Sequence, residues 1–339
     1  MKIAIVGGGF CGVATAWHLL SREPPLPNVT VTIFDSNEIG GGASGIAAGL
    51  LHPFAGAHAK LNRMGREGFT ATMKLVSIAS AYLQKPVSLH PPGILRLALT
   101  EAQNNDYFTA ASKYPFDVLW YAEDEVQKLC PFCTRAPGIW IKEGIALDAA
   151  LYLRGLWSGC RQKGAGFIKQ KIERLEDLKE YDQIIFTTGA QTKQFSLFAD
   201  LPITLIKGQI LELECPETLP KLHFPVNSQA YVLPCLGGDT YMAGTTYEKH
   251  FDSPLPDREK AIQEIMPKAV EMIPMLASAK VINCQAGLRA VTPDHLPKIY
   301  RIKENVWLLT GMGSKGLLYH GLFAEKLVEE MANSWQSSR

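Results

Sequence analysis

A glycine-rich turn near the start of this 339-residue chain is the feature that most constrains its fold. Gly7, Gly9 and Gly12 form the pattern G-x-G-x-x-G between the apolar segment 2–6 and a segment with helical spacing, 12–22. Gly7 permits a tight turn, Gly9 lets the backbone approach a pyrophosphate, and Gly12 allows close packing of helix on strand. The turn therefore predicts a β–α–β unit that binds a dinucleotide.

Two groups beside this turn are expected to recognise the nucleotide. The N–H groups at the helix start, among them those of Phe10 and Cys11, and the helix dipole favour a diphosphate. Asp35 lies at the end of the second strand (29–34), 23 residues after Gly12, and Ser36 follows it. A carboxylate there can accept hydrogen bonds from both ribose hydroxyls and would repel a 2′-phosphate, which disfavours NADP. A glycine turn in another kind of α/β protein is the alternative interpretation.

A second segment of small residues favours FAD over NAD. Residues 40–49 (GGGASGIAAG) soon follow the acidic residue, and a nicotinamide dehydrogenase has no need of them. A flavin is held along its whole length, and small side chains let backbone N–H groups reach its phosphates and ring edge. The segment TTGA (187–190) fits a third approach to the nucleotide. A flexible surface loop is the alternative for 40–49. Further residues are predicted to contact FAD. They are Ala43, Ser44, Ala48, Gly49 and Leu50 in or next to the first segment, Thr188 and Gly189 in the second, and Ile172.

The order of the segments predicts an α/β protein with two interleaved domains. Helical spacing occurs in 62–84, 148–163 and 257–273, whereas 87–140 and 203–251 have the texture of short strands and turns. Pieces typical of a parallel sheet occur at the start, middle and end of the chain. We therefore predict a Rossmann-like FAD/NAD(P)-binding domain and an α+β substrate domain built on an antiparallel sheet. The first domain comprises 1–84, 146–205 and 284–339, and the second comprises 85–145 and 206–283.

Charge, hydropathy and cysteine content argue against several classes of protein. Lys and Arg number 34 against 33 Asp and Glu, so no overall electrostatic field favours binding to nucleic acid or to an anionic membrane. This balance does not exclude a local basic patch. No segment reaches the roughly 18 apolar residues of a membrane span, and glycines interrupt the apolar N-terminus, unlike in a signal peptide. The seven cysteines, including Cys215, are expected to be reduced thiols of a cytoplasmic protein. Cys130 and Cys133 form a lone C-x-x-C and are expected to be two ordinary thiols; no metal site is expected.

With these segments in order, the sequence resembles the D-amino-acid oxidase superfamily of FAD enzymes, which includes glycine and sarcosine oxidases. The resemblance covers nearly the full length and includes IKGQ (206–209), AGTTYE (243–248), GLRAVTPDHLP (287–297) and GMGSKGL (311–317). Within the superfamily, GASGIAAGLLHP, RAVTPDHLP and GSKGL are most similar to the oxidase domain of the bifunctional enzyme that makes 5-methylaminomethyl-2-thiouridine in tRNA. That family favours Arg at the position of Lys315, and its FAD domain oxidises a carboxymethylamino group on the wobble uridine. The resemblance implies amine oxidation with oxygen as electron acceptor, on tRNA or on a free amino acid.

Four residues are candidates for substrate chemistry. Arg289 falls where related oxidases bind the substrate carboxylate, which a guanidinium holds through two parallel hydrogen bonds; a salt bridge to Asp294 is the alternative. Lys315 lies beside the expected pyrimidine ring of the flavin, where it would stabilise reduced flavin, help activate oxygen or hold the carboxylate, or else be an exposed cation. Tyr231 and Tyr247 are expected to roof the site or merely to pack within a sheet. The resemblance adds further contacts to the cofactor from Arg289, Gly313, Ser314, Lys315, Gly316 and Leu317.

Two further expectations concern His52 and the attachment of the flavin. His52 follows the small-residue segment closely enough to reach the flavin, but a packing histidine with satisfied hydrogen bonds is expected. Covalently flavinylated members of the family use a cysteine near the C-terminal flavin turn, whereas the last cysteine of this chain is Cys284. Non-covalent FAD is therefore expected. An FAD dehydrogenase that uses an acceptor other than oxygen, and a non-catalytic nucleotide-binding module, are the remaining alternatives.

Overall fold

The β–α–β unit that the glycine turn predicts is present in the computed structural model, which describes residues 1–26, 28–214, 217, 220–235 and 240–337. Its helices are α1 (Phe10–Ser21), α2 (Gly65–Leu83), α3 (Glu101–Lys113), α4 (Glu123–Leu129), α5 (Ala149–Gln162), α6 (Arg258–Met272) and α7 (Gly316–Ser337). Its strands are β1 (Lys2–Val6), β2 (Thr30–Asp35), β3 (Leu50–Leu51), β4 (Ile94–Leu97), β5 (Val118–Tyr121), β6 (Gly138–Ile141), β7 (Ile145–Ala146), β8 (Gly166–Lys169), β9 (Gln183–Phe186), β10 (Thr204–Glu214), β11 (Val226–Asn227), β12 (Tyr231–Pro234), β13 (Thr240–Gly244), β14 (Lys280–Val291), β15 (Lys298–Lys303) and β16 (Val306–Thr310).

The first sheet is parallel except at one edge. Its strand order is β15-β16-β9-β1-β2-β8, and only β15 pairs in the antiparallel direction. Ile3 and Ile5 of β1 face a core formed with α1, α2, α5 and α7, whereas Ala4 and Val6 face a second apolar cluster around Phe186. Because both faces of β1 are covered, its residues form a continuous apolar run instead of alternating with polar ones. The predicted Rossmann-like arrangement is confirmed.

The second sheet has the strand order β14-β10-β13-β12-β11-β4-β6-β5. Its pairs are antiparallel apart from β11 with β4, and α6 packs on it over a separate apolar core. The predicted fold class, an α/β chain with an antiparallel second sheet, is therefore confirmed. The division into domains stays a prediction. Its boundaries at 205/206 and 283/284 fall inside strands β10 and β14, which pair with each other.

The segment 87–140 differs from its predicted texture of strands and turns because it also contains α3 and α4. Helix α3 begins at a capping box: the Thr100 side chain accepts a hydrogen bond from the N–H of Gln103, and the Gln103 side chain accepts one from the N–H of Thr100. The pattern T-x-x-Q is a known start signal for a helix. The prolines on either side of α3, at 91, 92 and 115, gave the whole segment the appearance of strands and turns and obscured this signal.

The interpretation of Cys130 and Cys133 as two ordinary thiols was wrong, because the structure joins them in a disulfide. Both residues are buried beside the apolar core of the second sheet. Cys11, Cys160, Cys235 and Cys284 are free, and Cys215 lies outside the described residues. In the described part of the chain, no helix has the length and apolar character that crossing a bilayer requires.

Candidate functional site

A cavity of about 370 Å³ lies at the carboxyl ends of three parallel strands. The turns that follow β1, β9 and β16 form one wall, and strands β10 and β14 of the second sheet form the opposite wall. The small-residue segment after β2 closes a third side. Crevices outside the carboxyl ends of the strands are the usual ligand sites of open α/β sheets. The cavity therefore lies where a dinucleotide site is expected.

The glycine turn brings the start of α1 to this cavity. Gly7 has a φ of +113°, and a methyl group on Gly12 would overlap with the carbonyl oxygen of Gly7, so both positions require glycine. The Thr187 hydroxyl, at the end of β9, donates to the Gly7 carbonyl (2.9 Å) and ties the neighbouring strand to the turn. Gly9, Phe10 and Cys11 line the cavity, so the positive end of the α1 dipole points into it.

Asp35 holds the turn from the end of β2. Its Oδ2 accepts a hydrogen bond from the N–H of Gly8 (2.7 Å), and its Oδ1 accepts one from the N–H of Asn37 (2.8 Å). The carboxylate is half-buried and lies outside the cavity lining. Each oxygen keeps a second acceptor direction for a ribose hydroxyl.

The small-residue segment is bonded to the glycine turn. The N–H of Gly40 donates to the Gly8 carbonyl (2.9 Å), and the Ser44 hydroxyl oxygen accepts from the N–H of Phe10 (3.1 Å). Residues 43 and 44, as well as 46–50, line the cavity. The segment is thus a wall of the cavity, and the structure favours this reading over the surface-loop alternative.

Arg289, on β14, lies in the cavity wall with one nitrogen unused. Its guanidinium lies over the backbone of Gly208, where a methyl group would overlap with it. Nη2 donates to the Thr245 hydroxyl oxygen (3.0 Å), whereas Nη1 is buried and has no hydrogen-bond partner among the described residues. Asp294 pairs with Lys298 instead (2.5 Å), so the alternative salt bridge is not formed. Burial lowers the pKa of Arg289, but a guanidinium starts from so high a value that it stays charged.

The two candidate tyrosines differ in position. Tyr231 lines the cavity, and its hydroxyl lies against Gly244 next to Thr245. Burial raises the pKa of Tyr231 well above its usual value, so the phenol stays protonated. Tyr247 is 48% exposed and does not line the cavity.

Lys315 is near the cavity without lining it. It ends the short helical turn Gly313–Lys315 that precedes α7, and it is half-buried. Gly313, Ser314, Gly316 and Leu317 around it do line the cavity. Burial lowers the pKa of the Lys315 ammonium.

The structure brings most of the predicted site residues together. Those that line the cavity are Gly9, Phe10, Cys11, Ala43, Ser44, Ala48, Gly49, Leu50, Gly189, Tyr231, Arg289, Gly313, Ser314, Gly316 and Leu317. Those that do not line it are Gly7, Gly12, Asp35, Ser36, Ile172, Thr188, Tyr247 and Lys315. Ile172 is buried in the apolar cluster on the other face of the parallel sheet. A cofactor role for the second group would have to be exercised beyond this cavity.

His52 differs from the expected packing histidine with satisfied hydrogen bonds. It lines the cavity, is 5% exposed, and its Nδ1 has no hydrogen-bond partner among the described residues. Burial, reinforced by the nearby charge of Arg96, lowers the pKa of His52 to about 3. The imidazole is therefore neutral and offers a free nitrogen.

Several lining residues were not singled out from the sequence. Gly208 and Thr245 lie in the motifs IKGQ and AGTTYE, but only the structure shows that they contact Arg289. Asn227 and Gly56 also line the cavity, and neither belongs to a pattern that would have drawn attention to it.

Comparisons with known proteins agree with this geometry. A family model described as FAD dependent oxidoreductase (DAO) matches residues 2–330. The tRNA 5-methylaminomethyl-2-thiouridine biosynthesis bifunctional protein MnmC of Polaromonas naphthalenivorans is 26% identical over 97% of this chain and 56% of its own length. Glycine oxidase of Bacillus licheniformis is 26% identical over 91% of this chain and 86% of its own. The chain thus spans about half the length of the bifunctional relative.

Solved structures show the same fold. Glycine oxidase from Geobacillus kaustophilus superposes with a TM-score of 0.81 at 20% identity, covering 97% of this chain and 95% of that one. Iminodiacetate oxidase from Chelativorans sp. BNC1 superposes with a TM-score of 0.80 at 21% identity, covering 98% and 95%.

The neutral state of His52 predicts a pH dependence of stability. Between about pH 6.5 and pH 3 the unfolded chain binds a proton at this imidazole that the folded chain does not bind. Stability therefore falls with falling pH, by about 1.4 kcal/mol per pH unit from this residue. His52→Gln should flatten the slope of the unfolding free energy by that amount between pH 6 and pH 4.5, measured by urea denaturation. His250→Gln, at an exposed imidazole, is the control, and parallel curves for wild type and His52→Gln would contradict the prediction.

Proposed function

The chain belongs to the DAO family of FAD-dependent oxidoreductases, and we propose that it oxidises the C–N bond of a small amine that carries a carboxylate. The observation that carries this proposal is that Arg289 lines the cavity and that its buried Nη1 has no hydrogen-bond partner among the described residues. A buried cationic donor without an acceptor is costly unless a ligand supplies one. A carboxylate is the anion whose geometry a guanidinium fits.

The residues present fit FAD. The tight turn at Gly7 and Gly12 leaves no room for side chains, and the start of α1 offers its positive end to a diphosphate. The turn that opens α7 lines the same cavity, so both ends of the chain would hold the cofactor. We propose that the residues outside the cavity lining contact the rest of the nucleotide, with Asp35 on the ribose. Ile172, whose side chain is buried in the apolar cluster on the other face of the sheet, would do so only through its backbone. Bound FAD would supply an acceptor for the hydride that leaves the carbon next to the amine nitrogen.

The chain's own residues would orient the substrate. Arg289 Nη1 donates a hydrogen bond to the substrate carboxylate and fixes the carbon that bears the amine. Tyr231 keeps its proton and shares a hydrogen bond with Thr245, so it would present a neutral hydroxyl beside that carboxylate. The half-buried Lys315 ammonium adds positive charge at the edge of the site, where it would favour the negative charge of the reduced cofactor. Tyr247 stands further out and would contact only a substrate that extends beyond the cavity.

Two carriers of the reactive group are compatible with this chemistry. Free glycine or sarcosine presents an amine one carbon from a carboxylate, and so does a carboxymethylamino group on a wobble uridine of tRNA. The likeness to MnmC over 97% of this chain favours the second carrier, and the likeness to glycine oxidase over 91% favours the first. We propose oxygen as the electron acceptor in both cases.

The test uses the FAD-loaded protein with sarcosine, glycine, and tRNA that carries the carboxymethylaminomethyl group. Bleaching of the flavin band under anaerobic conditions reports oxidation of the substrate, and hydrogen peroxide formed in air reports the acceptor. Bleaching by free amino acids would exclude tRNA as a necessary carrier. Bleaching without rapid reoxidation in air would point to a different acceptor. Failure of all three substrates to bleach the flavin would overturn the proposal.

Replacement of Arg289 tests the carboxylate anchor. Arg289→Met should raise KM for the best carboxylate substrate roughly 100-fold, since losing one member of a buried charged pair costs about 2–5 kcal/mol. Steady-state kinetics measure the change, and the absorbance of bound flavin checks that the cofactor is retained. Arg135→Met is the control, because Arg135 is an exposed guanidinium paired with Glu123 and Asp124 on α4. Equal KM values for Arg289→Met and wild type would contradict the role.

Gly208 offers a second way to move the same guanidinium. In Gly208→Ala the new methyl group overlaps with the Arg289 guanidinium, which is the flexible end of a long side chain and can shift. We expect KM to rise by about 10-fold, as for a hydrogen bond worth about 1.4 kcal/mol, with little change in Tm. Gly166→Ala is the control. Gly166 lies on β8, and a methyl group there makes only ordinary van der Waals contacts with Val31 and Thr32 on β2. An unchanged KM would show that Arg289 need not lie over Gly208.

We further propose that FAD is held without a covalent bond. Among the described cysteines only Cys11 lines the cavity, and burial raises the pKa of its thiol to about 12, which leaves little reactive thiolate. Precipitation of the holoprotein with trichloroacetic acid should leave the yellow colour in the supernatant. A yellow pellet would contradict this prediction.

A further inference from the structure

Strand β10 separates the cavity from a buried polar network on its other face. Gly208 and Ile210 line the cavity, and Gln209 between them points the opposite way because side chains alternate along a strand. Gln209 is fully buried. Its surroundings include Glu248, Thr246 and Lys260, none of which lines the cavity.

Glu248 is the centre of this network. Its carboxylate is almost fully buried and accepts three hydrogen bonds, all of 2.8 Å: from Gln209 Nε2 and the Thr246 hydroxyl at Oε1, and from Lys260 Nζ at Oε2. Burial alone would raise the pKa of Glu248, but the hydrogen bonds from Lys260, Thr246 and Gln209 outweigh it and lower the pKa. The carboxylate is therefore ionised and fully engaged.

The direction of each hydrogen bond in the network is fixed. The N–H of Asp257 donates to Gln209 Oε1 (2.6 Å), so the amide nitrogen of Gln209 must face Glu248. The N–H of Gln209 donates to the Thr246 hydroxyl oxygen (2.9 Å), which leaves that hydroxyl's own hydrogen for Glu248. The backbone of Glu248 also exchanges two hydrogen bonds with Lys207 on β10 (2.9 and 3.0 Å). Segment 245–248 is thereby held to β10 along its whole length.

The same segment orients Arg289 on the cavity side. The Thr245 hydroxyl donates to the Gln209 carbonyl (2.9 Å), with the Thr246 carbonyl as a more distant acceptor (3.2 Å), and its oxygen accepts from Arg289 Nη2 over 3.0 Å. Because Nη2 is held there, Nη1 is the terminal nitrogen of this cavity-lining residue that has no partner among the described residues. The backbone of Gln209 therefore connects the two charged groups: its N–H leads through the Thr246 hydroxyl to the Glu248 carboxylate, and its carbonyl leads through the Thr245 hydroxyl to the Arg289 guanidinium.

We propose that Glu248, acting through Gln209 and Thr246, is a positioning residue for Arg289. The buried carboxylate holds segment 245–248 in place, and this segment sets the position of the Thr245 hydroxyl. The hydrogen bond to Thr245 in turn sets the orientation of the guanidinium. Networks of this kind hold geometry more firmly than single hydrogen bonds because every member is satisfied. The proposal rests on the proposed function in one respect, namely that the ligand of Arg289 is a carboxylate.

The experiment titrates FAD-loaded full-length protein with acetate and follows the flavin difference spectrum. We expect the acetate Kd to rise about 10-fold in Glu248→Gln, the effect of one well-placed hydrogen bond. The Kd for FAD should stay within about 2-fold of the wild-type value, since a general loss of structure would weaken the binding of both acetate and FAD. Glu214→Gln is the matched control: Glu214 lies at the end of β10, the strand to which segment 245–248 is held, is exposed, and pairs with Lys280. Lys260→Met, which removes one donor to Glu248 near the surface, serves if Glu248→Gln does not fold.

A double variant separates positioning from plain stabilisation. In a Thr245→Val background the connection to Arg289 is already broken. Adding Glu248→Gln to this variant should therefore not raise the acetate Kd further. Additive effects, or an acetate Kd in Glu248→Gln and Lys260→Met within 2-fold of wild type, would overturn the positioning role while leaving the proposed function intact. Absence of acetate binding in wild type, or unchanged binding in Arg289→Met, would instead overturn the carboxylate site and this inference with it.

Discussion

The pairing of β10 with β14 is the interaction on which the candidate site depends. The ladder runs from Thr204 opposite Val291 to Glu214 opposite Lys280. Arg289 pairs with Ile206, so its side chain lies diagonally across Gly208. A shift of one residue along β10 would exchange the two faces of that strand. Gln209 would then enter the cavity, and the space above Gly208 that the guanidinium occupies would be lost.

The parts of the fold that local chemistry dictates could be predicted from the sequence. The apolar run 2–6, the glycine turn and Asp35 specify a β–α–β unit within 35 residues, and the structure has it with β1, α1 and β2 at the predicted places. Helix α3 was missed because the overall texture of 87–140 outweighed a single local signal at Thr100. The disulfide between Cys130 and Cys133 was missed because composition indicates the redox environment of the whole chain and not the contact of one pair.

The site was predictable where a backbone conformation demands particular residues and less so where a side chain must face a particular way. The small-residue segment and the turn around Gly313 line the cavity because backbone approaches the ligand there. Lys315 belongs to that turn and Tyr247 to the motif AGTTYE, yet neither residue lines the cavity, because the direction of a side chain depends on how its turn or segment packs. His52 was expected to have satisfied hydrogen bonds, because only the three-dimensional arrangement shows that its Nδ1 has no partner within the described part of the chain.

Two buried arginines show how a structural guanidinium differs from one that awaits a ligand. Arg96 is 2% exposed and lies outside the cavity lining; its terminal nitrogens donate to the carbonyls of Phe54, Gly56 and Ala57, and its plane lies over the Tyr107 ring. The protein thus satisfies both terminal nitrogens of that guanidinium by itself and leaves only its Nε without a partner among the described residues. The same hydrogen bonds hold the segment beside His52. Among the described residues, Arg289 has a neutral hydroxyl on one terminal nitrogen and no partner on the other. Burying a charged donor in this state works against stability, and the network around Glu248 holds it in place nonetheless. This cost is the reason for proposing that a ligand in the cavity completes the hydrogen bonding of Arg289.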